Sequence, residues 1–122
     1  RSFIFSTALP MGVISANIAA IDIILEEPIR QKTLLENTKY FRENLKKLGF
    51  KNVSGETQIV PVVIGKEEKA VELAQKLRNA GFWVLPIRYP TVAKNQARLR
   101  FSLTFNHTKE MLDELLKGLR KF

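Results

Sequence analysis

Arg98 and Arg100 stand two residues apart in the run from Arg98 to Phe105, where Leu99, Phe101, Leu103 and Phe105 alternate with Arg98, Arg100, Ser102 and Thr104. Strict alternation of apolar and polar residues marks a strand with one face on a core, which sends both arginines to the other face. A guanidinium held on a strand is a planar, permanently charged fork, suited to gripping a carboxylate through two hydrogen bonds. A solvated or salt-bridged arginine fits the same pattern, so the spacing alone leaves both open. Ser6 and Thr7 form a second candidate, two adjacent hydroxyls just ahead of Pro10, where a first helical turn would begin. Hydroxyls at a helix start can meet a phosphate, and they can equally cap the helix. His107 is the only histidine and precedes the last helix, where a capping or structural role is expected.

Other chemistries lack their residues. There is no cysteine, which removes disulfides and thiolate metal sites, and one histidine leaves little for an imidazole-based site. The six glycines are scattered, with no phosphate-cradling loop, and no serine sits in a G-x-S-x-G elbow. Carboxylates fall on helix surfaces, as in the i,i+4 pair Glu72 and Lys76.

These residues sit in a chain of 122 with 45% hydrophobic and 26% charged side chains, a globular composition with room for one domain of ordinary size. Lys+Arg outnumber Asp+Glu by 20 to 12, a formal net charge of +8. Lys39, Arg42, Lys46, Lys47 and Lys51, with Lys117, Arg120 and Lys121, could attract nucleic acid. An RNA-reading sheet would carry exposed aromatics and its own core motif, and the polar face around Arg98 and Arg100 has none, so a solvated basic surface is the default and a basic α+β nucleic-acid-binding module the distant alternative. The longest apolar stretch, Met11 to Leu25, is broken by Ser15, Asn17 and Asp22 and is too short to span a bilayer. With no signal peptide, a cytoplasmic setting is expected.

The elements that must position the arginines read in order. Phe3-Ile4-Phe5 is extended, and from Pro10 to Glu27 a helix places apolar residues on nearly every face. Such a helix needs neighbours all round, so part of its surface is expected to meet an absent domain or a second subunit. Together with the abrupt apolar start at Arg1-Ser2-Phe3, this suggests a piece of a longer protein. Pro28 restarts the helix, and Leu34, Thr38, Phe41, Leu45 and Leu48 form one stripe that Gly49 ends. A strand is expected over Ile59 to Ile64, a helix over Lys66 to Ala80 stopped by Gly81, and a strand over Phe82 to Leu85 ended by Pro86. The connection from Tyr89 to Ala97 leads into the arginine strand. Leu112, Leu115, Leu116 and Leu119 make the buried stripe of a last helix. This order predicts an α+β fold, a three-stranded antiparallel sheet with helices on one face and the third strand between the other two.

At the two candidate segments the sequence resembles the α-oxoamine synthases. The resemblance runs in order through Phe3-Ile4-Phe5-Ser6-Thr7-Ala8-Leu9-Pro10, Ile59-Val60-Pro61-Val62-Val63-Ile64-Gly65, Tyr89-Pro90-Thr91-Val92, Ala97-Arg98-Leu99-Arg100 and His107-Thr108. These are pyridoxal 5'-phosphate enzymes that condense an amino acid with an acyl-CoA and release CO2. The wording is most like members that join L-alanine to a pimeloyl thioester in biotin biosynthesis, with a glycine-using acyltransferase of the family as the alternative. The resemblance implies the small C-terminal domain of a fold-type I PLP-dependent transferase over 51–122, with 1–50 as helices connecting to a large domain. It implies that Arg100 holds the substrate's carboxylate, that Thr91 lines the substrate site, and that Ser6 and Thr7 reach the phosphate of a cofactor bound mainly by the partner subunit of a homodimer. The Schiff-base lysine, the ring-stacking residue and the acid on the pyridine nitrogen lie upstream in the family. No catalytic residue, bound cofactor or activity is therefore expected of these 122 residues alone, and no metal, nucleic acid or membrane partner is implied.

The sequence departs from the family pattern at Met11, where a second proline is usual, at Ala93 and Asn95, which replace a proline and a glycine of the loop after Thr91, and at Phe105-Asn106. Asparagine tolerates the left-handed backbone that glycine would supply there.

Overall fold

The computed structural model describes residues 7–120. The expected extended Phe3-Ile4-Phe5 and Ser6 lie outside them. Two compact units divide at Lys32 and Thr33.

In the first, α1 spans Met11–Glu26, and Pro10 occupies the N-cap position without a side-chain hydrogen bond. The Pro10 carbonyl instead accepts from Val13 and Ile14 N–H at 2.9 and 3.2 Å. Thr7, three residues earlier and exposed, is therefore not a cap. None of the α1 residues is buried, and Ile18 and Ile21 are each 56% exposed. Pro28 opens α2, Pro28–Lys47, where its missing N–H is no loss. Glu27 and Arg30 close the junction with a two-point ion pair at 2.7 and 3.1 Å.

The second unit begins within α2 and adds β1 (Ile59–Gly65), α3 (Glu67–Asn79), β2 (Leu85–Ile87), β3 (Ala97–Ser102) and α4 (Lys109–Leu119). The sheet order is β1-β3-β2 and both pairings are antiparallel, with β3 in the centre as expected. Val60 and Val62 pair with Phe101 and Leu99, so one face of the sheet is continuous hydrocarbon. Phe41 and Leu45 of α2, Leu77 of α3, and Leu112, Leu115, Leu116 and Leu119 of α4 join these residues in one core. The Phe41 and Phe101 rings meet edge to face, 5.3 Å apart. Thr38, buried in the α2 stripe, turns its hydroxyl back to the Leu34 carbonyl at 2.7 Å, so it adds no unsatisfied group.

Gly49 and Gly81 end α2 and α3 through the same device. Each has φ above +90°, and the following residue reaches back five positions, Phe50 N–H to Leu45 O at 3.2 Å and Phe82 N–H to Leu77 O at 2.9 Å.

Two boundaries differ from expectation. The strand expected over Phe82 to Leu85 is found at Leu85–Ile87, with Pro86 inside it. Phe82 belongs to the helix-ending motif, which delays pairing, and β2 is a sheet edge, where a residue without an N–H is tolerated. The arginine strand stops at Ser102 rather than Phe105. After Leu103 N–H bonds Gln58 O at 3.0 Å, the Thr104 N–H is taken by the His107 ring at 2.8 Å. The alternation is broken there, and Phe105 is 38% exposed instead of buried.

Candidate functional site

The site is built on β3. Ala97, Leu99 and Phe101 face the core, which leaves Arg98, Arg100 and Ser102 on the open side. Arg98 is half-buried and Arg100 exposed. The register decides what surrounds them. Arg100 lies between Pro61 of β1 and Leu85 of β2, Arg98 between Val63 and Ile87, and Ser102 opposite Ile59. The three strands contain no acid and no lysine, so the two guanidinium groups are the only ionic groups the strands place on this face. Among the described residues no carboxylate lies within ion-pair distance of Arg100. Arg98 donates from Nε to the Gln96 carbonyl at 3.1 Å, which leaves its two terminal amino groups.

Flanking hydrocarbon suits such a fork to an anion. Apolar neighbours lower the local dielectric and hold back competing water, which strengthens a guanidinium–carboxylate bond once the anion arrives. Among the described residues Arg100 thus has no acid partner, which sets it apart from a salt-bridged arginine and leaves its fork open to an anion.

Thr91 sits on the segment from Arg88 to Gln96, which leaves β2 opposite Arg98 and returns into β3 beside it. Its N–H bonds the Arg88 carbonyl at 3.0 Å, closing a turn with the cis Tyr89–Pro90 bond at its centre, and its side chain is exposed. Asn95 has φ 61°, the left-handed conformation expected where the family carries glycine. The Thr91 segment therefore joins the sheet at the end that carries Arg98, with Arg100 two residues further along β3. Thr7 belongs to the first unit, and Ser6 lies outside the described residues.

His107 is structural. Its Nδ1 accepts from Thr104 N–H, which requires an unprotonated Nδ1, and its carbonyl accepts from Asn37 Nδ2 at 3.1 Å. Thr108, not His107, caps α4, its hydroxyl accepting from Met111 N–H at 3.4 Å. The apolar walls, Ile59, Pro61, Val63, Leu85 and Ile87, did not emerge as site residues from the sequence. Their signal is the register, which pairs residues up to 43 positions apart.

Residues 1–119 match the aminotransferase class I and II family. The chain belongs to that family of pyridoxal-phosphate-dependent enzymes, and its α+β sheet is the small C-terminal domain of that fold. More closely, it is 49% identical over 121 residues to 8-amino-7-oxononanoate synthase of Thermoanaerobacter pseudethanolicus and 46% identical over 121 residues to that of Symbiobacterium thermophilum. It is 40% identical to a Thermus thermophilus protein named 8-amino-7-oxononanoate synthase/2-amino-3-ketobutyrate coenzyme A ligase. These matches cover 99% of this chain and 31% of each relative, so the chain spans about a third of their length. Among solved structures, 8-amino-7-oxononanoate synthase from Francisella tularensis superposes with TM-score 0.81 at 28% identity, covering 99% of this chain and 35% of that one. A serine palmitoyltransferase solved with PLP superposes with TM-score 0.90 at 25% identity, covering 98% of this chain and 30% of that one. No helix among the described residues is long and apolar enough to cross a membrane.

Proposed function

We propose that this chain is the C-terminal part of a cytoplasmic, homodimeric acyltransferase that condenses L-alanine with a pimeloyl thioester, carried by CoA or a carrier protein, to form 8-amino-7-oxononanoate with loss of CO2 and the thiol. The observation that carries the reading is Arg100, a guanidinium without an acid partner on an apolar sheet face. In the intact enzyme its fork holds the alanine carboxylate, the group that later departs as CO2, and so orients the reacting Cα. Thr91, on the segment that leads into β3, lines the pocket. Residues 1–50 connect toward the large domain, and 51–122 form the small domain, into whose core the second half of α2 is built.

Pyridoxal phosphate, when bound, supplies the electron sink for the carbanion chemistry. With neither lysine nor acid on the open face, these residues do not fit the cofactor's covalent anchor or the partner of its ring nitrogen. They fit a peripheral contact: the Thr7 side chain is exposed and is not a helix cap, and with Ser6 it would reach the phosphate of a cofactor held mainly by the partner subunit. The 122 residues alone therefore turn nothing over.

The test is Arg100→Gln in the full-length enzyme. Loss of a charge-assisted bidentate contact costs about 1.5–3 kcal/mol, so the KM for alanine rises about 10- to 150-fold. Arg100→Lys, which keeps the charge without the fork, falls between. An alanine KM within about twofold of wild type, a change of only ~0.4 kcal/mol, refutes the assignment. Assay with glycine in place of alanine separates this reading from the glycine-using one.

A further inference from the structure

We infer that Arg98 is a second anion receptor on the same face, taking the far carboxylate of a dicarboxylic acyl group while Arg100 holds that of the amino acid. The inference rests on the proposed function for the identity of the first carboxylate. It starts from an imbalance. Two permanent cations sit at i and i+2 on one strand face, their Cα atoms ~7 Å apart, and no strand of the sheet offers an acid to either. Their mutual repulsion is relieved when two anions bind, one at each.

Three features make Arg98 a receptor in its own right. Its Nε is tethered to the Gln96 carbonyl, which fixes the plane of the guanidinium and leaves both Nη groups to meet a carboxylate end-on. It is half-buried, with the apolar Val63 and Ile87 on either side. The strands on either side are apolar, with Pro61 and Leu85 flanking Arg100 as Val63 and Ile87 flank Arg98, which matches a methylene chain better than a polar linker.

The lengths agree. When an amino acid is joined to a seven-carbon diacid, eight carbon–carbon bonds separate the two carboxylate carbons, ~10 Å when extended. Two arginines ~7 Å apart at their Cα atoms span that distance when the Arg100 side chain leans away from the tethered Arg98. Arg98 is on this reading a specificity-determining residue, the one that tells a carboxylate-ended acyl chain from a methyl-ended one.

The experiment uses the full-length holoenzyme at saturating alanine and compares pimeloyl-CoA with heptanoyl-CoA, the same chain ending in a methyl group. In Arg98→Gln the ratio of kcat/KM for pimeloyl over heptanoyl falls at least about tenfold, and in Arg98→Lys it falls less. A ratio that stays at the wild-type value, including the case where both substrates slow in parallel, overturns the inference. If the glutamine variant does not fold, Arg98→Lys decides alone, and a wild-type ratio in it overturns the inference equally. Arg100→Gln keeps the two readings apart. An alanine KM unmoved there while Arg98→Gln loses the ratio sinks the alanine assignment and leaves the far-end receptor. A raised alanine KM with the ratio intact does the reverse.

Discussion

Leu85→Glu would build an internal competitor for the substrate. Leu85 stands directly opposite Arg100 across the β2–β3 ladder, and directly opposed Cβ atoms lie ~5 Å apart, within reach of a glutamate carboxylate and a guanidinium. Leu85 is 38% exposed and on an edge strand, where a polar side chain of similar length is tolerated. On the proposed function, the new ion pair would occupy the fork that takes the alanine carboxylate. With both groups exposed, the pair is worth about 0.2–1 kcal/mol, which raises the alanine KM up to about fivefold. Shielding of the face by the rest of the enzyme would enlarge this, because the same charges interact more strongly at lower dielectric. Leu85→Gln has nearly the same shape without the charge and is the control. Steady-state kinetics on full-length enzymes should show a raised alanine KM in the glutamate variant, partly relieved by salt, and a near-normal value in the glutamine variant, with thermal stability unchanged in both. Equal KM values in the two variants would refute the claim that Arg100 is an unpartnered carboxylate receptor.

Phe41 is fully buried against Phe101, so Phe41→Ala should cost about 3–5 kcal/mol in urea unfolding, while Met111→Ala, at an exposed position, should cost little. Acid should weaken the fold through carboxyls held below their ordinary value of 4.5, Glu72 by its hydrogen bond and ion pair with Lys76 and Glu110 chiefly by hydrogen bonding to Thr108. Because the folded values are depressed, their contribution is present above pH 4.5 and is lost as pH falls through the folded values. The denaturation midpoint should fall there, and less in Glu72→Gln.

Asn95 carries the left-handed turn in place of glycine, so the loop after Thr91 keeps its turn without the usual residue. Family membership covers residues 1–119 and sets aside the reading as a basic nucleic-acid-binding module.

Much of the architecture was legible in local pattern. The leucines of α4 bury where their spacing places them, as do Thr38, Phe41 and Leu45 in the stripe of α2, whose ends Leu34 and Leu48 are half-buried, because helical period is a property of the backbone. Alternation put Arg98 and Arg100 on the side of β3 away from the core for the same reason. The ends of β2 and β3 were not legible, since one depends on a helix-ending motif reaching into the next segment and the other on a histidine ring capturing a backbone N–H. Nor could the chain order show that Pro61 and Leu85 would flank Arg100. Residue type and spacing settle what each side chain can do and which way its strand turns it. Only the pairing of distant strands decides whether that arginine meets an acid, water or hydrocarbon, because register is a contact between segments that no local rule contains.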